Sequence, residues 1–359
     1  YRLFVPAYES LEGFFDMYGN PIIEDPDKEV KTLEGDMMTF GAKTFLKNER
    51  DSLKNDAKEL NELIRQFPFT PDEAFRDSVE GSLFNIGKIY EQVEHNDSLY
   101  PSPVVRGNFQ WQGGVKDTKV LFLPDPRGRW YVSWMPPNSE RSVISSHKGS
   151  KIPSNPNRGC GGVDSYDLDA TVDSRGSKGA CHIYNKFNLD GASNMFVAEY
   201  ASRPPMAKIF YEDVLMAAVF YGYPLLIENN KYGIVRHFES RGYDGYVMDR
   251  PAHLKTPNSS ANVKTKGIPS NSQDVIQAHA SAIEDYIHHH VGLNEDGSPG
   301  SMYFNRTLED WVGFKIDKRT KYDLSISSGL ALLAAQKVKI DKPEVKFEDK
   351  VFFRRYKLT

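Results

Sequence analysis

The chain has only two cysteines, Cys160 and Cys181, in 359 residues. That is too few for a disulfide framework or a four-ligand zinc site. Both lie in apolar, strand-like runs and read as buried free thiols in a reducing compartment. There is no run of about 18 apolar residues, so no membrane-spanning helix is expected. Nothing at the start resembles a signal peptide. An excess of positive charge is also missing: 45 Lys and Arg stand against 49 Asp and Glu, for a formal net charge of −4. Nucleic-acid contact would therefore have to come from local basic patches rather than a whole-chain field. No internal repeat or low-complexity tract is visible. What remains, 39% hydrophobic, 12% aromatic and 26% charged residues, is the composition of a soluble globular protein with a sizeable core. The first residue is Tyr rather than Met, and Tyr1 to Pro6 reads as the inside of a fold, so a fragment of a longer chain is expected.

Periodicity divides the chain at about 100, 157 and 340. Within 1–100, Asn48 to Phe67 carries Leu53, Leu60, Leu63 and Ile64 among charges, an amphipathic helix pattern. It ends at Pro68, and Thr70-Pro71-Asp72-Glu73 offers a cap and a first-turn proline for another helix. Within 101–157, Asn108–Trp111 and Val120–Leu123 read as strands. The turn Asp125-Pro126-Arg127-Gly128 and a strand Arg129–Trp134 complete a hairpin, and 137–158 reads as a linker. From 158 to 340 three strands are expected: Cys160–Asp164, Gly179–Phe187 and Met195–Tyr200. A helix opens at Pro204-Pro205, a buried strand follows at Pro224–Ile227, then a short helix 232–240, a strand at Val247-Met248, and helices over 274–291 and 324–338. Three hairpin-linked strands followed by helix, strand, helix, strand and helix is the element order of an RNase H-like domain. The expected fold is α/β, an RNase H-like mixed sheet flanked by helices, preceded by a mixed helical and β-hairpin segment. The tail 341–359 is basic; from Lys337 on there are eight Lys and Arg against four Asp and Glu.

Three acids stand at the ends of expected core elements. Asp164 follows Gly161-Gly162-Val163, where glycines let backbone or phosphate approach closely. Glu228 directly follows an apolar run, a costly place for a carboxylate unless it is surfaced, paired or metal-bound. Asp323 opens the last helix, where the dipole alone would also favour an acid. Two-metal phosphodiester cleavage needs a few carboxylates converging on ions about 3.5–4 Å apart, and Mg²⁺ prefers such hard oxygen ligands. Asp164, Glu228 and Asp323 are therefore the candidate catalytic and metal-binding residues for two Mg²⁺ or Mn²⁺ ions, with Asp167 as an auxiliary ligand. Asp169 and Asp173 read as solvated loop residues. An EF-hand is excluded, because the sixth position from Asp164 is not glycine and the twelfth is Arg175. His288-His289-His290 reads as a helix terminus rather than a metal site, since consecutive helical positions face different directions. Phosphate contacts are expected from Arg250, Lys255, Lys264 and Lys266, in a stretch with no Asp or Glu from 251 to 273, and from Arg175 and Lys178 beside Asp164.

The same residues resemble the large terminase subunit of tailed bacteriophages. Tyr1 to Ala7, Leu11-Glu12-Gly13-Phe14-Phe15-Asp16 and Tyr18-Gly19 resemble the segment after that family's motor core, and Phe67 to Phe75 a Pro and Glu-Ala-Phe stretch. Gly162-Val163-Asp164, Ile227-Glu228-Asn229-Asn230 with Gly233, and Tyr322-Asp323 match its three metal acids in order, and Lys266-Gly267-Ile268-Pro269 the loop before its long C-terminal helix. The resemblance implies an endonuclease that cuts double-stranded viral DNA during genome packaging, with little sequence specificity. It implies a portal protein, a small terminase subunit and an ATPase domain as partners, no membrane, and work in the host cytoplasm at the procapsid portal. One departure is plain: no GxxxxGK[ST] phosphate loop occurs, and Gly176-Ser177-Lys178-Gly179 lacks its glycine spacing. No ATPase activity is expected of this chain by itself. The alternatives are a non-catalytic DNA-binding or portal-docking module, and a resolvase- or transposase-like nuclease of the same fold.

Overall fold

The computed structural model describes residues 4–54, 57–74, 83–167, 178–186, 192–229, 232–251, 254, 266–269, 273–294 and 297–336. Strands β1 (Val30–Lys31) and β2 (Met37–Met38) pair as a small hairpin, followed by helices α1 (Ala42–Ser52), α2 (Ala57–Gln66), α3 (Pro71–Ala74) and α4 (Ile86–Ser98). The one amphipathic helix expected over 48–67 is thus two. The polar stretch Asp51–Asp56 has no apolar residue but Leu53 to hold a continuous helix against a core, and α1 closes with the Leu53 amide donating to the Arg50 carbonyl and the Lys54 amide to that of Asp51.

Strands β3 (Val105–Trp111), β4 (Val120–Pro124) and β5 (Trp130–Val132) come next, then a two-stranded hairpin of β6 (Ser145–His147) and β7 (Ser150–Ile152) inside the expected linker. The chain continues through β8 (Gly159–Asp164), β9 (Gly179–Asn185), β10 (Met195–Ser202), α5 (Ala207–Tyr221), β11 (Leu225–Ile227), α6 (Gly233–Ser240), α7 (Gln273–His290), α8 (Asn305–Gly313) and α9 (Asp323–Ala335). Seven of these strands form one mixed sheet in the order β11-β8-β9-β10-β5-β3-β4, with β11 parallel to β8 and the other neighbours antiparallel. The β8-β9-β10 meander, the α5 crossover and the return of β11 beside β8 make the RNase H-like arrangement.

Three local expectations change. The turn at 125–128 does not join paired strands: β4 and β5 lie on opposite edges of β3. Glycine permits this, since a Cβ on Gly128 would collide with the Gly107 backbone. The expected fifth strand is a single bridge from Val247 to Leu225, because Gly267-Ile268 takes over the edge of β11 one step later. Helix α8 was not anticipated at all.

Two cores cover the two faces. Helix α5, apolar nearly all round, packs with Val163, Cys181, Ile183, Trp130 and Tyr200 on one face. It stops at Gly222, whose φ of 70° is the left-handed conformation that closes helices. Helices α7, α8 and α9 pack with Cys160, Phe196, Leu226, Trp311 and Leu330 on the other. Among the described residues no helix is long and apolar enough to cross a membrane.

Candidate metal centre

Two glycines make the site possible. Gly162 in β8 lies directly beneath α9, and a Cβ there would collide with the Ser327 carbonyl oxygen and the Ala331 amide nitrogen. Side chains alternate along a strand, so Gly162 and Asp164 share the α9 face. Gly161 relieves the other face, where a Cβ would crowd Leu225. Asp164 is only 7% exposed.

Glu228 arrives at the same place by register. Leu226 pairs with Gly162 and Ile227 with Val163, so the next residue of the parallel strand stands beside Asp164 on the same face. Its amide donates to the Val163 carbonyl at 2.9 Å, extending the ladder one step past β11. Neighbouring strands lie about 4.8 Å apart, so the two acids leave the sheet side by side.

Asp323 is the first residue of α9, and its Oδ2 accepts the Lys178 amide at 2.9 Å. Lys178 immediately precedes β9, whose Ala180 pairs with Asp164. All three acids therefore sit at one end of the sheet on one face. Their hard oxygens suit a divalent cation, and two carboxylates side by side in a half-buried setting are a donor set that a shared cation would relieve. Among the described residues, however, no three His, Cys, Asp or Glu side chains are gathered tightly enough to hold one ion. The donor types and their placement fit a metal; the side chains do not form a ready-made cage.

Asp167 is held elsewhere. Its Oδ1 accepts the Tyr211 hydroxyl at 2.7 Å and crowds Gly233, on the α5 and α6 side of the sheet. Of the basic candidates, Lys178 is exposed at the site's edge. Lys266 donates to the Val247 carbonyl at 2.8 Å and lies 3.5 Å from Asp249, so it also serves the fold. Arg250 is half-buried, and its Nε and Nη2 find no hydrogen-bond partner among the described residues. Arg175, Lys255 and Lys264 lie outside the described residues, as do Asp169, Asp173 and the tail. His289 and His290 line a cavity of about 300 Å³ with Tyr184 and Lys186, at the Asn185 end of β9, remote from the acids.

Two polar groups beside the acids escaped the sequence. Asp310 on α8 accepts the Ser325 amide and hydroxyl, each at 2.7 Å. Burial pushes its carboxyl up to about 6; the Ser325 bonds pull the other way, and the charges of Asp323 and Glu199 add to the rise. His182, with no exposed surface, places Nδ1 2.8 Å from Ser327 Oγ and Nε2 2.8 Å from Thr307 Oγ1. Thr307 in turn donates to Glu199 Oε2 at 2.5 Å, and Glu199 lies 3.5 Å from the Arg306 guanidinium. Burial lowers the His182 pKa, favouring the neutral ring. The one available signal was His182 itself, an ionisable residue in the middle of the otherwise apolar run Gly179–Tyr184.

No family model and no curated protein matches the chain. Among the solved structures it resembles is the large terminase nuclease from thermophilic phage G20c with bound zinc, at 12% identity and a TM-score of 0.36. A second structure of that phage G20c nuclease is similar at 10% identity and a TM-score of 0.35; each alignment covers 59% of this chain and 91% of the other.

Proposed function

We propose that this chain is a metal-dependent nuclease in which Asp164, Glu228 and Asp323 hold divalent cations against a phosphodiester. The observation that carries this reading is the in-register placement of Asp164 and Glu228 at the ends of adjacent parallel strands, on the face where Asp323 opens α9. Mg²⁺ or Mn²⁺ bound there would supply an activated water and neutralise charge developing on the leaving oxygen. The chain's own contribution is geometric. The β8–β11 ladder fixes the spacing of two carboxylates, and the Lys178 amide orients the third. The close approach of α9 over Gly162 keeps water from the buried side of the site. Lys178, at the edge of the acids, and Arg250, whose Nε and Nη2 find no hydrogen-bond partner among the described residues, suit phosphate contacts without base reading.

The finer reading is an endodeoxyribonuclease that cuts double-stranded viral DNA during packaging. Portal protein, small terminase subunit and an ATPase domain would be its partners, in the host cytoplasm. It rests on the motif order Gly162-Val163-Asp164, Ile227-Glu228-Asn229 and Tyr322-Asp323. The purified chain with Mn²⁺ is expected to nick supercoiled plasmid, and Asp164→Ala to reduce nicking at least about 100-fold, in line with loss of a group acting on the transition state. Undiminished nicking by the variant would remove the assignment.

A further inference from the structure

Helix α9 carries Asp323 but does not secure its own first turn. The residue before it, Tyr322, makes no side-chain cap, so the first amides of the helix need acceptors from elsewhere. Asp310 supplies one from α8, taking both the amide and the hydroxyl of Ser325. The other side of the turn is gripped through the sheet. Ser327 Oγ, in the same turn, lies 2.8 Å from His182 Nδ1. Thr307 has one hydroxyl proton and gives it to Glu199, so it accepts from His182 Nε2–H, which fixes the ring tautomer and orientation. A chain of hydrogen bonds thus runs from Arg306 and Glu199 through Thr307 and His182 to Ser327, whose hydroxyl gives its one proton to the unprotonated Nδ1 and so ties the start of α9, one turn from Asp323, to β9.

We propose that Asp310 and His182 are positioning residues for Asp323: the pair clamps the first turn of α9 from two sides and so sets where the third carboxylate of the metal centre stands. The proposal rests on the nuclease reading above for its consequence, metal binding, but not for its geometry. Neither side chain needs to touch substrate or ion. Each acts through the backbone of the turn that carries the Asp323 carboxylate and its bond from the Lys178 amide. Partners behind metal ligands typically matter about 10- to 100-fold in metal affinity, and the clamp is expected to fall in that range.

Two readouts on the 359-residue chain test it: Mn²⁺ affinity by calorimetry, and amide hydrogen exchange at Lys178 without metal. Asp310→Ala and Thr307→Val are expected to weaken Mn²⁺ binding about tenfold or more and to speed exchange at Lys178. Asp310→Asn keeps an acceptor for the Ser325 amide and should recover most of both. His182→Gln should behave like Thr307→Val; where its burial prevents folding, Thr307→Val carries the same question. Glu212→Gln, on the opposite face of the sheet, serves as the control that alters stability without moving either readout. Unchanged affinity and unchanged exchange in Asp310→Ala and Thr307→Val would overturn the clamp. Should the parent chain bind no Mn²⁺ that Asp164→Ala abolishes, the nuclease reading falls instead, and exchange at Lys178 alone decides the clamp.

Discussion

The two faces of the central sheet are built on different principles. The α5 face is filled by rings: Trp130, Tyr200, Phe210, Phe220 and Phe109 meet edge-on or tilted, with centroids 4.9–5.3 Å apart. Its charges are paired in two places: Glu212 accepts from Trp111, His237 and Arg241, and the buried Asp213 accepts from Arg129 and the Tyr200 hydroxyl. The opposite face has rings as well, with Tyr184, Phe196, Tyr286 and Trp311 in contact, but where α9 itself meets the sheet it presents small residues and hydroxyls, including Gly162, Cys160, Ser325, Ser327 and Ser328, over the buried His182 and Glu199. Rings fill volume and tolerate no particular proton arrangement. A satisfied polar network fixes one geometry and loses much if any member is removed. The first face stabilises the sheet; the second sets the position of the acids.

The largest effect tests the aromatic face. Phe210→Ala is expected to lower unfolding stability by about 3–5 kcal/mol, the usual result of emptying a buried ring's volume. Denaturant unfolding measures it. The acids should stay in place, so Mn²⁺ affinity in the surviving native fraction should hold. A loss of affinity with little loss of stability would reverse the division between the faces.

A glycine on each face sharpens the contrast. A Cβ at Gly162 meets the backbone of α9, whereas one at Gly179 meets only the Phe210 ring at 2.8 Å. A ring can shift; a helix backbone moves as a unit. Gly162→Ala is expected to destabilise by about 2–3 kcal/mol and Gly179→Ala by about 1 kcal/mol, within the range for overpacked cores. Comparable losses at the two positions would mean that α9 is free to lift.

The sequence made the strand ends legible and the network illegible, for physical reasons. Asp164 and Glu228 follow apolar runs, and a carboxylate that ends a buried strand stands out in a linear string. The register that sets them side by side follows from the parallel return of β11, which the β-α-β order implies. Asp167 reads as an auxiliary ligand because it lies three residues after Asp164, yet Tyr211 holds its carboxylate on the other face. Asp310 gave no signal: Glu309-Asp310 reads as a polar face, and only the packing of α8 on α9 buries it. The β4–β5 pairing failed because turn chemistry specifies a reversal but not which neighbour fills the gap, and β3 did.

The smallest net effect lies in how the faces respond to pH, because on the α9 face two groups, each about 3 kcal/mol taken alone, oppose each other. Asp310 has its carboxyl pushed up to about 6 by burial, so its contribution is fully present below the ordinary value of 3.8 and is lost as pH rises through about 6. His279, buried beside Gly329 with Nε2 3.1 Å from the Ile326 carbonyl, is lowered by burial to about 4. Its contribution is present above 6.5 and is lost as pH falls through about 4. Between roughly pH 4 and 6.5 the two slopes largely cancel. On the α5 face, Glu212 is pushed up by burial, but its bonds from His237, Arg241 and Trp111 prevail and hold it at about 2. Its contribution is present above 4.5 and lost only as pH falls below that, so Glu212 is silent in the same window, while Asp213 on this face, raised by burial, adds a slope of the same sign as Asp310. Urea titrations of stability against pH separate these terms. Asp310→Asn should expose the His279 slope, with stability now falling as pH drops from 6.5 to 4. His279→Gln should expose the opposite slope, with stability rising over that interval, and Glu212→Gln should alter the profile only below about pH 4.5. If both α9-face variants left a flat profile, neither group would be titrating as its burial demands, and the polar character assigned to that face would have to be carried by the neutral His182 chain alone.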